Sequence, residues 1–487
     1  MGKRMALVTF GCQMNVHDSQ RIESLMREAG YSLVDDPEGA DVVVLNTCSV
    51  REKAEQKLRS EAGRLKKLDT ILVVAGCVAQ QEGERLVKSM PFLDVVVGPD
   101  NLHELPGLVR AAEMGAAAAV RTVFDLEAPR FLAFDGVGTE SVGATAFVTV
   151  MKGCNERCSF CIVPYTRGPE RYRPADEIVA EVRDLVAHGA REVVLLGQTV
   201  NSYLDPTVPV APGGDPDVSQ FSSLLRRLAA EVPDLDRLRY TSPHPRHMTP
   251  DLMAAHAELG VLADHVHMPV QSGSDRILRR MIRRYSRAEY VTRMTALQKA
   301  RPGLTLSTDV IVGFPGETEE DFAATLSLVE EMGFVGLFGF KYSPRPFTPA
   351  LKLGDDVPEV DKQRRLAALF ERSESQTRAH LATLVGTRAE VLVEGPSRGG
   401  QGMMVGRTRR NEIVHLPGAA TPGLAAGAVA VVEIQRANKH SLEGRVESLR
   451  RPAPVLGDIP RSVPEASPEG SEAPPGPRRV GLPVLSP

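Results

Sequence analysis

Six cysteines carry the chemistry open to this sequence, and they fall into two sets of three. Cys12, Cys48 and Cys77 are spread along the first part of the chain, whereas Cys154, Cys158 and Cys161 share one stretch, "KGCNERCSFCIVPYTRG". The N-terminus "MGKRMALVTFGC" is too short in apolar residues for a secretory segment. No run of about 18 apolar residues occurs either, so the chain is expected in the cytoplasm, with no membrane contact. Thiols stay reduced there, and metal ligation outweighs a disulfide framework. A structural zinc is closed by four ligands, and no histidine lies between Gly153 and Arg173 to complete a set of three. A cubane [4Fe–4S] cluster also normally takes four thiolates. Held by only three, it keeps one iron open to a substrate, by the logic that leaves a catalytic zinc one vacant position. Zinc completed by a histidine from a distant strand is the lesser alternative.

The elements that must position these thiols can be read from hydrophobic patterning. "MALVTFGC", "ADVVVLNTC" and "TILVVAGC" are short β-branched runs, each ending in a cysteine and followed by a polar turn and a helical stretch. Such runs predict buried parallel strands. In an open α/β sheet the ligand crevice lies at the carboxyl ends of the strands, so residues 1–120 should bring all three cysteines to one edge. A lone cysteine after a strand is often just a small buried apolar group; three in the same position argue for a shared ligand. Small residues and glycines in "MGAAAAVR" and "FDGVGTESVGAT" mark a linker over 121–143.

A second α/β series follows over 144–375, with six candidate strands: "FVTVMKGC", "EVVLLGQ", "RLRYTSP", "HVHMPVQSG", "LSTDVIVGFPG" and "FVGLFGFKYSP". Their alternation with helical stretches predicts a partial (β/α)6 barrel with chemistry at its carboxyl face, where Cys154 follows the first strand. "DPTVPVAPGGDPDVSQ" reads as a loop insertion. "DKQRRLAALFERSESQTRAHLATLVGT" predicts a helix leading to five short strands with Gly-rich turns over 376–447, a small antiparallel, OB-like β-barrel. The last 37 residues hold ten prolines and no aromatic residue, so 448–487 is expected to be a disordered tail.

"GCNERCSFCIVP" resembles the Cys-x3-Cys-x2-Cys motif of radical S-adenosylmethionine enzymes, with Phe160 just before the last cysteine. With "FGCQMNVHDS", "LNTCSVREKAEQK", "GCVAQQEG" and a terminal barrel of TRAM type, residues 4–447 are similar to the radical S-adenosylmethionine methylthiotransferases. The match is to the branch that modifies adenosine 37 of tRNA. The branch acting on a ribosomal-protein aspartate carries "GCPKN" and "NTCGF", and the threonylcarbamoyl-adenosine branch carries "GCKVN"; "GCQMN" and "NTCSVRE" match neither. One departure is Tyr172, where the family has a small residue.

The resemblance implies methylthiolation of C2 of N6-(dimethylallyl)adenosine in the anticodon stem-loop of tRNA. Cys154, Cys158 and Cys161 would hold a radical-generating [4Fe–4S] cluster, and Cys12, Cys48 and Cys77 an auxiliary one that carries or supplies sulfur. S-adenosylmethionine would serve as both methyl donor and radical source. An electron donor such as flavodoxin or ferredoxin, a sulfur donor and a monomeric state are further expectations. No side chain acts as a conventional acid or base. Further cofactor contacts fall on strand-closing loops: Gly197, Gln198 and Asn201; Gln271 and Ser272; Asp309, Gly313 and Glu317; and Phe160 beside the last cysteine. Turn chemistry alone is the plainer account of such residues. Methylthiolation of another substrate is one alternative reading. An RNA-binding protein with structural or redox-sensing clusters is another.

The net charge of −4 conceals two basic stretches. Between Arg276 and Arg301 lie nine Lys/Arg and one acid, Glu289. Arg276, Arg279, Arg280, Arg283, Arg284 and Arg287 recur at spacings that predict one helix face. A single-sign face favours a phosphate backbone over mere solvation. Arg407, Arg409 and Arg410 would form a second patch, on a barrel of the kind that binds oligonucleotides.

Overall fold

The computed structural model describes residues 2–49, 52–126, 129–132, 142–209, 217–397, 402–418 and 421–454. The tail beyond 454, the centre of the linker and the middle of the Pro/Gly insertion lie outside them.

The three β-branched runs form adjacent central strands of a six-stranded, all-parallel sheet. Its spatial order is Tyr31–Val34, Lys3–Phe10, Val42–Thr47, Ile71–Gly76, Val95–Val97, Ala119–Arg121. Val42, Val43, Val44 and Leu45 are wholly buried, as a strand covered on both faces requires. Ala119–Arg121, at the expected boundary between this domain and the linker, adds the edge strand. Phe10 pairs with Thr47, and Thr47 with Gly76, so the three strands end in line.

All six strands expected of the second series are present. They form two parallel three-stranded sheets: Thr145–Thr149, Glu192–Leu196 and Arg237–Tyr240, then His265–His267, Thr305–Val312 and Gly336–Lys341. A parallel bridge between Leu238 and Leu262 joins them into one arc around a single apolar core. The arc is the partial (β/α)6 barrel, open at one side.

Glu359–Thr383 is a continuous helix that packs on the last barrel strand and leads into a closed five-stranded barrel. Four of its pairings are antiparallel. The exception is Ile413–Pro417, which runs parallel to Leu442–Arg451. The last strand continues to Arg451, past the expected end at 447, because Arg451 reaches Asp236 on the central domain at 3.4 Å.

Buried ion pairs lock the N-terminal sheet to the barrel. Arg21 meets Glu181 at 2.7 Å, Glu181 also holds Arg173, and Arg167 meets Asp18 at 2.6 Å. Losing one partner of a buried pair strands the other charge at several kcal/mol, so these contacts fix the two cysteine-bearing domains against each other. Among the described residues no helix is long and apolar enough to cross a membrane.

Candidate active site

The N-terminal set is assembled by strand register. Cys48 N–H donates to Phe10 O at 2.9 Å, drawing the first two strand ends together. After the first and third of these strands the backbone approaches its neighbours too closely for a side chain. A Cβ on Gly11 would sit 2.7 Å from Cys48 Cβ, and one on Gly76 (φ +90°) would sit 2.3 Å from Asn46 Oδ1. Beneath the thiols runs a buried amide network: Asn15 Nδ2 donates to Asn46 Oδ1 at 3.2 Å, and Asn46 Nδ2 donates to Ser19 Oγ at 2.9 Å. Asn15 Oδ1 also faces Cys12 Sγ at 3.3 Å. A hydrogen bond from Cys48 is the main cause that lowers the Cys12 thiol to about 6, while burial raises Cys77.

The barrel set sits on one loop at the carboxyl end of Thr145–Thr149, and the neighbouring loops hold it. Thr199 Oγ1 lies 3.0 Å from Cys154 Sγ, and Gln198 accepts from Gly153 N–H. Arg283 Nη1 donates to Cys158 Sγ at 3.3 Å and its Nη2 to Pro269 O at 3.0 Å. Ser159 N–H donates to Met281 O, and Ala350 N–H to Ser159 O. Phe160 packs edge-on to Phe314. Burial pushes Cys154 up to about 11 and Cys161 up to about 12. Such sites disfavour free thiolates, and bound metal is what deprotonates coordinating thiols.

All six cysteines are free thiols. Each set therefore has the donor chemistry for an iron–sulfur cluster and lacks a fourth cysteine. Among the described residues, Gln198 Nε2 and Glu156 Oε2 are buried at the cysteine loop without a protein partner, and Glu317 Oε1 is likewise unpaired where that side chain meets Gly313 and Arg365. Unmet polar atoms of this kind suit a polar ligand. The residues present thus fit both a cluster and a small zwitterion beside it.

The other residues singled out from sequence divide into two groups. Gln198 lies directly against the cysteine loop, and Gly197 packs on Met151 just before it. Gln271, in a left-handed conformation (φ 75°), ties its loop to Asp309 through N–H to O at 2.8 Å. Asp309 faces His267 at 3.3 Å. The remainder serve as braces. Asn201 exchanges hydrogen bonds with the His244 backbone, Ser272 meets Thr325, and Glu317 takes Gly313 N–H and Arg365, each at 2.7 Å.

The six-arginine helix face is not formed. A helix covers only Asp275–Arg280, then Ile282 (φ 59°) and Arg284 (φ 54°) turn left-handed. A new helix starts at Arg287 because Ser286 and Glu289 form a capping box. Arg276 pairs with Asp321, Arg287 with Glu331, and Arg283 is buried on the cysteine loop. Arg280 Nε donates to Pro315 O at 3.0 Å. Arg276, Arg279 and Arg284 are exposed, and of these Arg279 and Arg284 have no ion pair among the described residues.

The second patch is likewise consumed. Arg407 pairs with Glu394 at 3.0 Å, and Arg409 with Asp264 at 3.0 Å and with two backbone carbonyls. Arg237 and Arg239 answer by donating to the carbonyls of residues 407–409. These contacts gather at the amino ends of the barrel strands, opposite the cysteines. Of this trio, Arg410 alone has no ion pair among the described residues.

Sequence reading missed Arg167. Its Nε donates to Cys77 Sγ at 3.2 Å and its Nη2 to Asp18, and it caps the short helix Val163–Thr166, which begins two residues after Cys161. One short element therefore spans the gap between the two cysteine sets.

Comparison with known proteins accords with this geometry. Residues 4–98 match the uncharacterized protein family UPF0004, 148–329 the radical SAM superfamily and 382–446 the TRAM domain. The chain is 64% identical over 471 residues to a tRNA-2-methylthio-N(6)-dimethylallyladenosine synthase of Sorangium cellulosum, covering 92% of this chain and 94% of that one. The chain belongs to this synthase family. It is also 48% identical to the Geobacter sulfurreducens synthase of the same name, covering 91% and 97% of the two chains. Among solved structures it is similar to the radical S-adenosylmethionine methyltransferase TsrM of Kitasatospora setae, at 16% identity and a TM-score of 0.48 over 81% of this chain and 79% of that one. Family membership brings with it S-adenosylmethionine and one [4Fe–4S] cluster.

Proposed function

We propose that this chain methylthiolates C2 of N6-(dimethylallyl)adenosine at position 37 of tRNA, with Cys154, Cys158 and Cys161 holding one [4Fe–4S] cluster and Cys12, Cys48 and Cys77 a second. The observation that carries the reading is the pair of three-cysteine sets joined through Arg167, in a chain of this family. The target is an unactivated aromatic C–H, which no side-chain acid or base can displace. When bound, the barrel cluster with S-adenosylmethionine would supply radical hydrogen abstraction, and the auxiliary cluster would carry or supply the methylthio sulfur.

The protein's own part is positional. Arg283 and Thr199 orient the barrel thiols by donating to or facing their sulfurs. Arg167 does the same for Cys77 and balances its charge against Asp18. Gln198, against the cysteine loop, offers a buried Nε2 donor, without a protein partner among the described residues, to the carboxylate end of the cofactor's methionine part. The same reading includes an external one-electron donor of flavodoxin or ferredoxin type, a sulfur donor, and a monomer acting in the cytoplasm.

Nucleoside mass spectrometry of bulk tRNA tests it. A deletion strain should lose 2-methylthio-N6-dimethylallyladenosine and accumulate N6-dimethylallyladenosine; unchanged methylthio-adenosine would overturn the assignment. Anaerobically reconstituted protein should hold about eight irons, two cubanes of four.

A further inference from the structure

Most of both basic patches is tied up in structural contacts, which leaves Arg279, Arg284 and Arg410 as the cations without an ion pair among the described residues, so an RNA substrate needs further purchase near the cysteines. The exposed aromatic residues supply it. Among the described residues with large apolar side chains left open, Tyr165 is 42% and Phe347 is 50% exposed, and their rings lie 6.0 Å apart at a tilt of 35°. The Arg85 guanidinium sits 5.5 Å from the Phe347 ring centroid, and no ion pair among the described residues holds it elsewhere.

These three side chains come from three places that converge on the gap between the cysteine sets. Tyr165 lies in the short helix between Cys161 and Arg167. Arg85 is in Glu84–Ser89, just after the helix that begins at Cys77. Phe347 is on the loop after the last barrel strand. That loop is anchored to the cysteine loop by Ala350 N–H to Ser159 O at 2.8 Å and to the N-terminal domain by Arg345 on Glu55 at 3.3 Å.

Phe347 is also held in an unusual state. Its φ is +67°, a region that bulky residues rarely enter. The turn that imposes it is closed by Thr348 Oγ1 to Arg345 O at 2.7 Å. An apolar ring forced outward in a left-handed turn gains nothing for the core. Strain of this kind persists where surrounding structure enforces it, and it concentrates at functional sites.

We propose that Tyr165 and Phe347 form a stacking platform for one unpaired base of the RNA substrate next to the modified adenosine, with Arg85 meeting the adjoining phosphate. The inference rests on the tRNA reading above. Exposed aromatic faces with a cation beside them are how proteins grip splayed single-stranded bases. The platform holds the loop open while the neighbouring base enters the space between the two cysteine sets.

The test uses reconstituted full-length protein and a fluorescent anticodon stem-loop, intact or with an abasic nucleotide at each position flanking the target. Phe347→Gly relaxes the backbone while removing the ring, and Tyr165→Ala removes its partner. Each should weaken binding of the intact stem-loop roughly 5- to 150-fold, the range of one lost base–aromatic stack. An abasic flank should weaken wild type to a similar degree and the variants hardly further. Phe347→Trp should bind like wild type. Iron content should match wild type in all variants. Equal abasic penalties in wild type and Phe347→Gly would overturn the platform. If wild type makes no methylthio product on the intact stem-loop, the functional reading fails instead, so the two failures are distinguishable.

Discussion

The two cysteine sets reach similar chemistry by opposite constructions. Cys154, Cys158 and Cys161 lie within eight residues of one loop, and outside elements merely clamp it. Cys12, Cys48 and Cys77 come from three strands and meet only because Phe10, Thr47 and Gly76 stand in register. A local set survives distortion of its domain as a ligand set. A set built on register depends on every residue that keeps the strand ends level. The lesson is that function in the first is written in spacing, and in the second in packing.

The strongest way to separate the sets is to delete one at a time. Triple replacement of Cys154, Cys158 and Cys161 by alanine should abolish all cleavage of S-adenosylmethionine and halve the iron of the reconstituted protein. Cleavage surviving in that variant would remove the barrel loop from the chemistry. Cys48→Ala should do the converse, leaving 5′-deoxyadenosine formation in place while methylthio product disappears. Normal product from Cys48→Ala would make the N-terminal cysteines structural.

A subtler break targets register rather than ligands. Gly76→Ala puts a Cβ 2.3 Å from Asn46 Oδ1, at a φ of +90°. Strain of this kind costs on the order of 1–3 kcal/mol. The expected outcome is a lower denaturation midpoint together with loss of the N-terminal set's iron, while the barrel set keeps its own. If iron falls equally in both sets, the domains fail together and the contrast drawn between them dissolves.

These constructions also explain what was legible in the sequence. The strands announced themselves because β-branched runs such as "VVVLN" and "EVVLL" are buried on both faces, and a cysteine closing each run fixed its edge. The arginine face was misread because spacing carries no sign of a chain reversal; only Ser286 and Glu289, three apart, hinted that a new helix begins there. Arg407 and Arg409 looked like a nucleic-acid patch because their partners, Glu394 and Asp264, are distant in sequence or on another strand. Arg167 was hidden for the same reason. Its targets, Cys77 and Asp18, lie in another domain.

The smallest expected effects fall on the arginines, and they divide along the line between structural and free cations. Arg409→Ala removes a half-buried pair with Asp264 and donors to two carbonyls at the far end of the barrel. It should cost on the order of 2 kcal/mol in thermal or denaturant stability and leave the salt dependence of tRNA binding unchanged. Arg284 is exposed, has no ion pair among the described residues, and follows directly on Arg283, which touches Cys158. Arg284→Gln should leave stability unchanged and flatten the slope of log affinity against log salt by roughly 0.7 to 0.9, the effect of one lost phosphate contact. Turnover at saturating tRNA should change little, since such a group positions substrate and takes no part in the chemistry. The reverse pattern, with Arg409 setting the salt slope and Arg284 only stability, would move the RNA surface to the amino end of the barrel, away from both cysteine sets.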